Sequence, residues 1–209
     1  MSRDPVVSDS RQKLLKSAVA EFSGKGLRGA RTNEIARRAG VNKQLIQHYF
    51  GSKEGLYVAA LEEAYLAPRR DDETLNVDDL SPIDAMWAFI DHISSTTLKH
   101  PQMQMLLSDE NIHRGKHLKD LQNVKNVYRQ LIEKLDSILV RGAAEGVFRS
   151  GFDTRQVYVS LVGLLGMQVS NAYTLSFLFG LDLMTPEGKK HAHDEAVRLV
   201  LEGLLTTGK

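Results

Sequence analysis

The 209-residue chain contains no cysteine, which excludes disulfides, thiol redox sensing and cysteine-ligated zinc. No apolar run reaches the roughly 20 residues that cross a bilayer as a helix, so no membrane partner is expected. The opening MSRDPVVSDS lacks the apolar stretch of a secretory signal, and the expected compartment is the cytoplasm. Strand-like alternation persists nowhere, and proline is limited to five residues. Phosphate loop, serine elbow and zinc-protease helix are all missing from the sequence, so neither catalysis nor a cofactor is expected. Net charge is close to absent at +1, which taken alone argues against a nucleic-acid partner.

That average hides a split. Residues 1–55 carry 11 Lys and Arg against 5 Asp and Glu, a net +6, whereas residues 56–209 carry 16 against 21, a net −5. A basic first quarter raises local affinity for phosphate and makes binding sensitive to salt. The expected organisation is a basic module at 1–55 followed by a larger, mildly acidic body at 56–209.

Residues 32–56, TNEIARRAGVNKQLIQHYFGSKEGL, carry the strongest pattern. Thr32 can cap a helix whose Ile35, Ala36 and Ala39 share one face. Gly40 supplies the left-handed conformation that turns the chain, and Val41 fills the corner. Asn42 can cap a second short helix, Lys43 to Phe50. Its Ile46, Tyr49 and Phe50 point to a core, while Lys43, Gln44, Gln47 and His48 point away. Ser52 caps a following helix, Glu54 suits that helix's positive end, and Lys53 projects to the side of the second helix. This order of parts places one short helix in the major groove of DNA. Lysine and glutamine there reach phosphates and base edges. Thr32, Asn33, Asn42, Lys43, Gln44, Gln47, His48, Tyr49 and Lys53 are therefore the candidate DNA-binding residues.

The segment resembles the DNA-binding domain of the tetracycline-repressor (TetR) family of bacterial transcription regulators. The resemblance rests on Thr32, Ala39-Gly40-Val41, Tyr49-Phe50, Ser52-Lys53-Glu54 and Leu56, and covers about residues 10–66. The chain departs from the family at Gln47, where a phosphate-touching tyrosine is usual. The resemblance implies an all-α fold in which a three-helix N-terminal domain precedes a C-terminal domain for ligand binding and dimerisation. It implies a homodimer on a palindromic DNA operator, and a small-molecule inducer that releases a repressor. Activation instead of repression, or a helical scaffold that binds protein and not DNA, are the alternatives.

Helical periodicity continues beyond the turn motif, for about nine helices in all. Asp9 with Gln12 forms a possible capping box for the first, which carries Leu14, Leu15, Ala18 and Phe22. GKGLRG, residues 24–29, spells a dinucleotide fingerprint without the strand and helix that the motif requires. Leu56, Ala60, Leu61 and Ala64 stripe a fourth helix that Pro68 stops, and 69–80 reads as a charged loop. Ser81-Pro82 restarts the chain, Pro101 opens a Met-rich helix that Gly115 breaks, and Leu121 to about Gly146 forms a long helix. Asp153 caps a helix running to about Phe179, and Thr185-Pro186 starts the last one.

One reading helix covers few base pairs, so a dimer spanning two half-sites is also implied physically. Small residues near one face of the last two helices, Ser160, Gly163, Gly166 and Ser170, then Ala192, Ala196, Leu199 and Gly203, form the expected dimer interface. Trp87, Met103, Met105, Tyr128, Met167, Phe177 and Phe179 could line an apolar chamber or form an ordinary core, Gln168 and Asn171 could orient a ligand or bond across the dimer, and His113 with Arg114 could meet an anionic ligand. Asp109, His113 and His117 have metal-like spacing, but Gly115 interrupts it and no metal is expected.

Overall fold

The computed structural model describes residues 5–206, with side chains from Asp9 onward. These residues form ten α-helices: α1 (Pro5–Gly29), α2 (Thr32–Ala39), α3 (Gln44–Phe50), α4 (Lys53–Leu66), α5 (Pro82–Lys99), α6 (Pro101–Ile112), α7 (Val124–Ala144), α8 (Thr154–Ser170), α9 (Ala172–Phe179) and α10 (Pro186–Leu204). Turns of 3-10 helix occupy Ala67–Thr74 and Leu118–Asp120. Contacts divide the chain into two compact units, one of residues up to 67 with 102–124, the other of 68–101 with 125 onward.

In the first unit, α1 presents Leu14, Ala18 and Phe22 at four-residue steps, all fully buried. They pack with Ile35 and Ala36 of α2, Ile46 of α3, Leu56, Tyr57, Ala60 and Leu61 of α4, and Leu106 of α6. Phe22 and Tyr57 meet edge to face at 5.2 Å between centroids. Each large side chain buried here contributes roughly 1.5–3 kcal/mol. The expected capping box does not form. The first helix begins upstream at Pro5, and Asp9 lies inside it, paired with Lys13. At its far end Gly26 takes φ 64°, ψ 176°, a kink before the last residues to Gly29.

Polar side chains lock α6 into this unit. Asp109 accepts from the Leu27 backbone N–H and from the Tyr57 hydroxyl, both at 3.0 Å. Glu110 is 1% exposed and accepts from the His117 backbone N–H at 2.6 Å. The His117 ring places Nδ1 2.8 Å from Glu110 and Nε2 3.2 Å from Glu54. Burial lowers the His117 pKa, but the hydrogen bonds to Glu110 and Glu54 outweigh it, and the net direction is upward. Burial, followed by the bond to Asp109, pushes the Tyr57 hydroxyl up.

The second unit buries Phe89, Ile90 and Ile93 of α5, Leu131, Leu135 and Ile138 of α7, Leu161 and Leu165 of α8, and Ala196, Val197 and Leu204 of α10. Phe148 sits against Gly142, where an added Cβ would lie 2.0 Å from the ring, so only glycine lets the ring approach α7 this closely. The Arg149 N–H donates to Leu204 and the Thr206 N–H to Val147, tying the end of α10 to the α7–α8 connection.

Two helix boundaries differ from the sequence reading. The helix expected from Asp153 to Phe179 is two: α8 stops at Ser170 and α9 leaves at 78° after Asn171. The break needs no proline or glycine because Asn171 adopts φ −114°, ψ 17°, outside the helical well. The long seventh helix begins at Val124, not Leu121, which instead packs on the core of the first unit. Asp153, Ser81 and Thr185 cap as expected, each accepting a first-turn N–H. Among the described residues no single helix is long and apolar enough to cross a membrane. The α8–α9 pair passes on length and composition but is sharply bent.

Candidate nucleic-acid interface

Gly40, at φ 66° and ψ 31°, closes α2 with its N–H on Ala36 and Arg37 carbonyls. Such left-handed geometry is routine only for glycine. Lys43, not Asn42, holds the position before α3 and makes no side-chain cap bond, but the Asn42 Oδ1 accepts from the Gln44 N–H at 2.9 Å and so holds the first residue of the helix. Gly51, at φ 75°, ends α3 after Phe50. Ser52 Oγ accepts from the Gly55 N–H at 2.9 Å and starts α4. Turn chemistry thus fixes both ends of α3, while Ile46 anchors its inner face to the core.

The outer face of α3 is open. Asn42, Lys43, Gln44, Gln47 and His48 are exposed, and Tyr49 is half-buried beneath His48, edge to face at 4.8 Å. Lys43 makes no ion pair among the described residues. Exposed donors held on a rigid backbone can meet phosphates and base edges without reorganising. Lys53 is half-buried, with Nζ 3.4 Å from the Arg28 carbonyl. Its ammonium therefore spends one hydrogen on the end of α1 and has two left for an anion.

The cap expected from Thr32 is not made by its side chain. Arg31 occupies the cap position and Thr32 is the first helical residue. The Thr32 hydroxyl and Asn33 amide have no side-chain partner among the described residues, and both stand at the amino end of α2, where free N–H groups favour an anion. Glu21, 1% exposed on α1, instead braces the residue before the helix. It takes the Arg31 N–H at 3.4 Å, Lys25 at 2.7 Å and Arg38 at 3.4 Å. The Lys25 hydrogen bond chiefly holds its carboxyl below the usual range, against burial. Sequence reasoning missed Glu21, along with the exposed Arg28 and Arg31 that border the same face. The only available signal was an acidic residue at a core-facing position of an otherwise basic helix.

The other expected sites are dispersed. Met103 is buried on α6, and the His113 ring bonds the Asp109 carbonyl at 2.8 Å, both in the first unit. Trp87 is exposed on α5 and lies edge-on to His193. Tyr128 lies under the Arg69 guanidinium at 5.2 Å and beside Tyr158. Met105, Met167, Asn171, Phe177 and Phe179 are exposed. Gln168 donates to the Ala192 carbonyl at 3.2 Å and lines a cavity of about 210 Å³ among α5, α8, α9 and α10. Of the expected interface residues, Ser160, Gly163, Ser170, Leu199 and Gly203 are exposed and Ala192 is half-buried. Gly166 and Ala196 are buried within the chain itself, Ala196 in the second core.

Residues 14–60 match the family described as bacterial regulatory proteins, tetR family, and residues 82–200 match the tetracyclin repressor-like C-terminal domain. The HTH-type transcriptional repressor NicS of Pseudomonas putida is 31% identical over 195 residues, covering 93% of this chain and 92% of the relative. Among solved structures, a TetR transcriptional regulator from Chloroflexus aurantiacus superposes with a TM-score of 0.72 at 20% identity, over 98% of this chain and 100% of that one. The transcriptional regulator FadR from Bacillus subtilis, solved in complex with stearoyl-CoA, gives 0.66 at 19% identity, over 92% and 98%. With both parts of the family matched in order and a relative aligned over nearly its whole length, the chain belongs to the tetR family of bacterial regulatory proteins and is a helix-turn-helix transcription regulator.

Proposed function

We propose that this protein is a homodimeric repressor that holds a palindromic operator and releases it when a small molecule enters the C-terminal body. Residues 1–55 read the DNA, and 56–209 hold the ligand and the second copy. The observation that carries the reading is the open face of α3, where Lys43, Gln44, Gln47 and His48 are exposed on a helix fixed by Asn42, Gly51 and Ile46. Lys43 and Lys53 neutralise phosphates, Gln44 and His48 meet base edges, and Thr32, Asn33, Asn42, Gln47 and Tyr49 complete the contact set.

Exposed faces of α8 and α10 support the dimer. Val159, Gly163 and Met167 are exposed at four-residue steps along α8, as are Leu199 and Gly203 along α10. Small residues beside apolar ones on the same helices favour close helix–helix approach. A second copy pairs the two reading helices at half-site spacing. The ligand acts only through its differential affinity for the operator-bound and released states.

The test is fluorescence anisotropy with a labelled palindromic duplex from the protein's own promoter region. Saturation at two chains per duplex supports the reading, and a scrambled duplex of equal length binding as tightly contradicts it.

A further inference from the structure

The cavity among α5, α8, α9 and α10 has an unusual balance of side chains. Its walls are largely apolar, with Leu165, Val169, Leu183 and Met184 prominent. Its charged or ionisable nitrogen groups are Lys189 and His193, one turn apart on α10, and no carboxylate lines it. Both ring nitrogens of His193 are buried without a hydrogen-bond partner. Asp91 stands 3.7 Å from Nε2, beyond hydrogen-bond reach, and is 58% exposed, and the adjacent Asp194 is paired with Lys190. Lys189 makes no ion pair among the described residues.

Buried polar atoms without partners carry a free-energy cost, and a group that satisfies them recovers it. An imidazole with two unpaired nitrogens beside an unpaired ammonium is matched by an oxygen anion, which accepts from both. A cationic ligand would face Lys189 with no carboxylate on the walls to offset it. The volume, about 210 Å³, lies below the roughly 300–1,000 Å³ usual for drug-sized ligands, so the occupant has a single ring or a short chain. We infer that this cavity takes a small organic carboxylate, its anionic group against His193 and Lys189 and its apolar body against Leu165, Val169 and Met184. The inference rests on the ligand-responsive reading above and assigns the chemical class of the ligand.

Benzoate is the probe, because its ring current marks nearby methyl groups. Protein labelled at the methionine methyls has Met184, on the cavity wall and 46% exposed, as a reporter. Titration with benzoate should shift the Met184 signal saturably, and benzyl alcohol and benzylamine should bind at least about tenfold more weakly. His193→Gln should weaken benzoate by about tenfold. Should that variant fail to fold, Lys189→Gln at the exposed rim should weaken it severalfold. Equal or tighter binding of the alcohol or amine overturns the carboxylate assignment. So does unchanged benzoate affinity in both variants, or a Met184 signal that no probe moves. Operator affinity is read separately on the same samples. A neutral or cationic probe that releases the duplex removes the carboxylate and leaves ligand-responsive regulation standing. Failure of the unliganded protein to bind any duplex sinks the wider reading without touching the benzoate titration.

Discussion

The carboxylate of Asp109 fills the space that a side chain at Gly26 would need: a Cβ built on Gly26 would lie 2.5 Å from Asp109 Oδ1. The same carboxylate accepts from the next backbone N–H, that of Leu27. A residue on α6 thus holds the kink that ends α1, 83 positions earlier in the chain.

Gly26→Ala should therefore destabilise the protein twice over. The backbone there, φ 64° and ψ 176°, lies in a region essentially reserved for glycine and costs other residues about 1–3 kcal/mol. The added methyl also displaces Asp109, leaving the Leu27 N–H without its acceptor and the Tyr57 hydroxyl with only its longer bond to Glu110. Thermal melting should show a loss of about 2–4 kcal/mol. An unchanged melting temperature would mean that the kink is not held as described.

The buried His117–Glu110 pair makes stability pH-dependent. The His117 pKa is raised in the folded protein, from an ordinary value of 6.5. Below 6.5 the ring is protonated in both folded and unfolded chains, and its contribution is fully present. As pH rises through the raised folded-state value, the proton leaves and that contribution is lost. Denaturation across this range should show the stability difference between the protein and its His117→Gln variant largest below pH 6.5 and shrinking as the medium becomes alkaline. A difference that grows with pH would reverse the sign.

Two neighbouring side chains on the reading helix should behave differently. Lys43→Ala should weaken binding to many duplexes alike and reduce the salt slope by about 1 for each protomer. Gln44→Ala should cost about 1–3 kcal/mol at particular base pairs and leave the slope nearly intact. Competition binding across a panel of operator variants at several salt concentrations separates the two.

Leu199 is 56% exposed on α10, so a charge there disturbs little within one chain. Leu199→Glu should leave the monomer folded, with unchanged far-ultraviolet circular dichroism, and weaken self-association by about tenfold or more. Sedimentation velocity reads the result. A variant that dimerises as tightly as the parent places the interface elsewhere.

The parts of this molecule that were legible in the sequence are those written locally. Ser52, Ser81, Asp153 and Thr185 accept from amides within three residues, and Gly40 donates to carbonyls three and four residues back, so spacing alone discloses them. The reading helix was visible for the same reason. Relationships that depend on the packed chain were not. Glu21 sits at a core-facing position of α1, but nothing local names Arg31 and Arg38 as its partners, and Asp109 gives no sign of meeting Gly26. The α8–α9 break at Asn171 lacks proline or glycine, and apolar periodicity runs through it. The capping box at Asp9 failed because the helix starts earlier, at Pro5. The cavity beside His193 draws on four helices, a convergence that no single segment encodes.

The central claim is that paired α3 helices bind duplex grooves through phosphate and base contacts. Its most direct test is anisotropy of the palindromic duplex titrated with protein across a salt series. The account predicts two chains per duplex and an association constant whose logarithm falls linearly with the logarithm of salt concentration. A protein that remains monomeric and leaves every duplex unbound at low salt would contradict it.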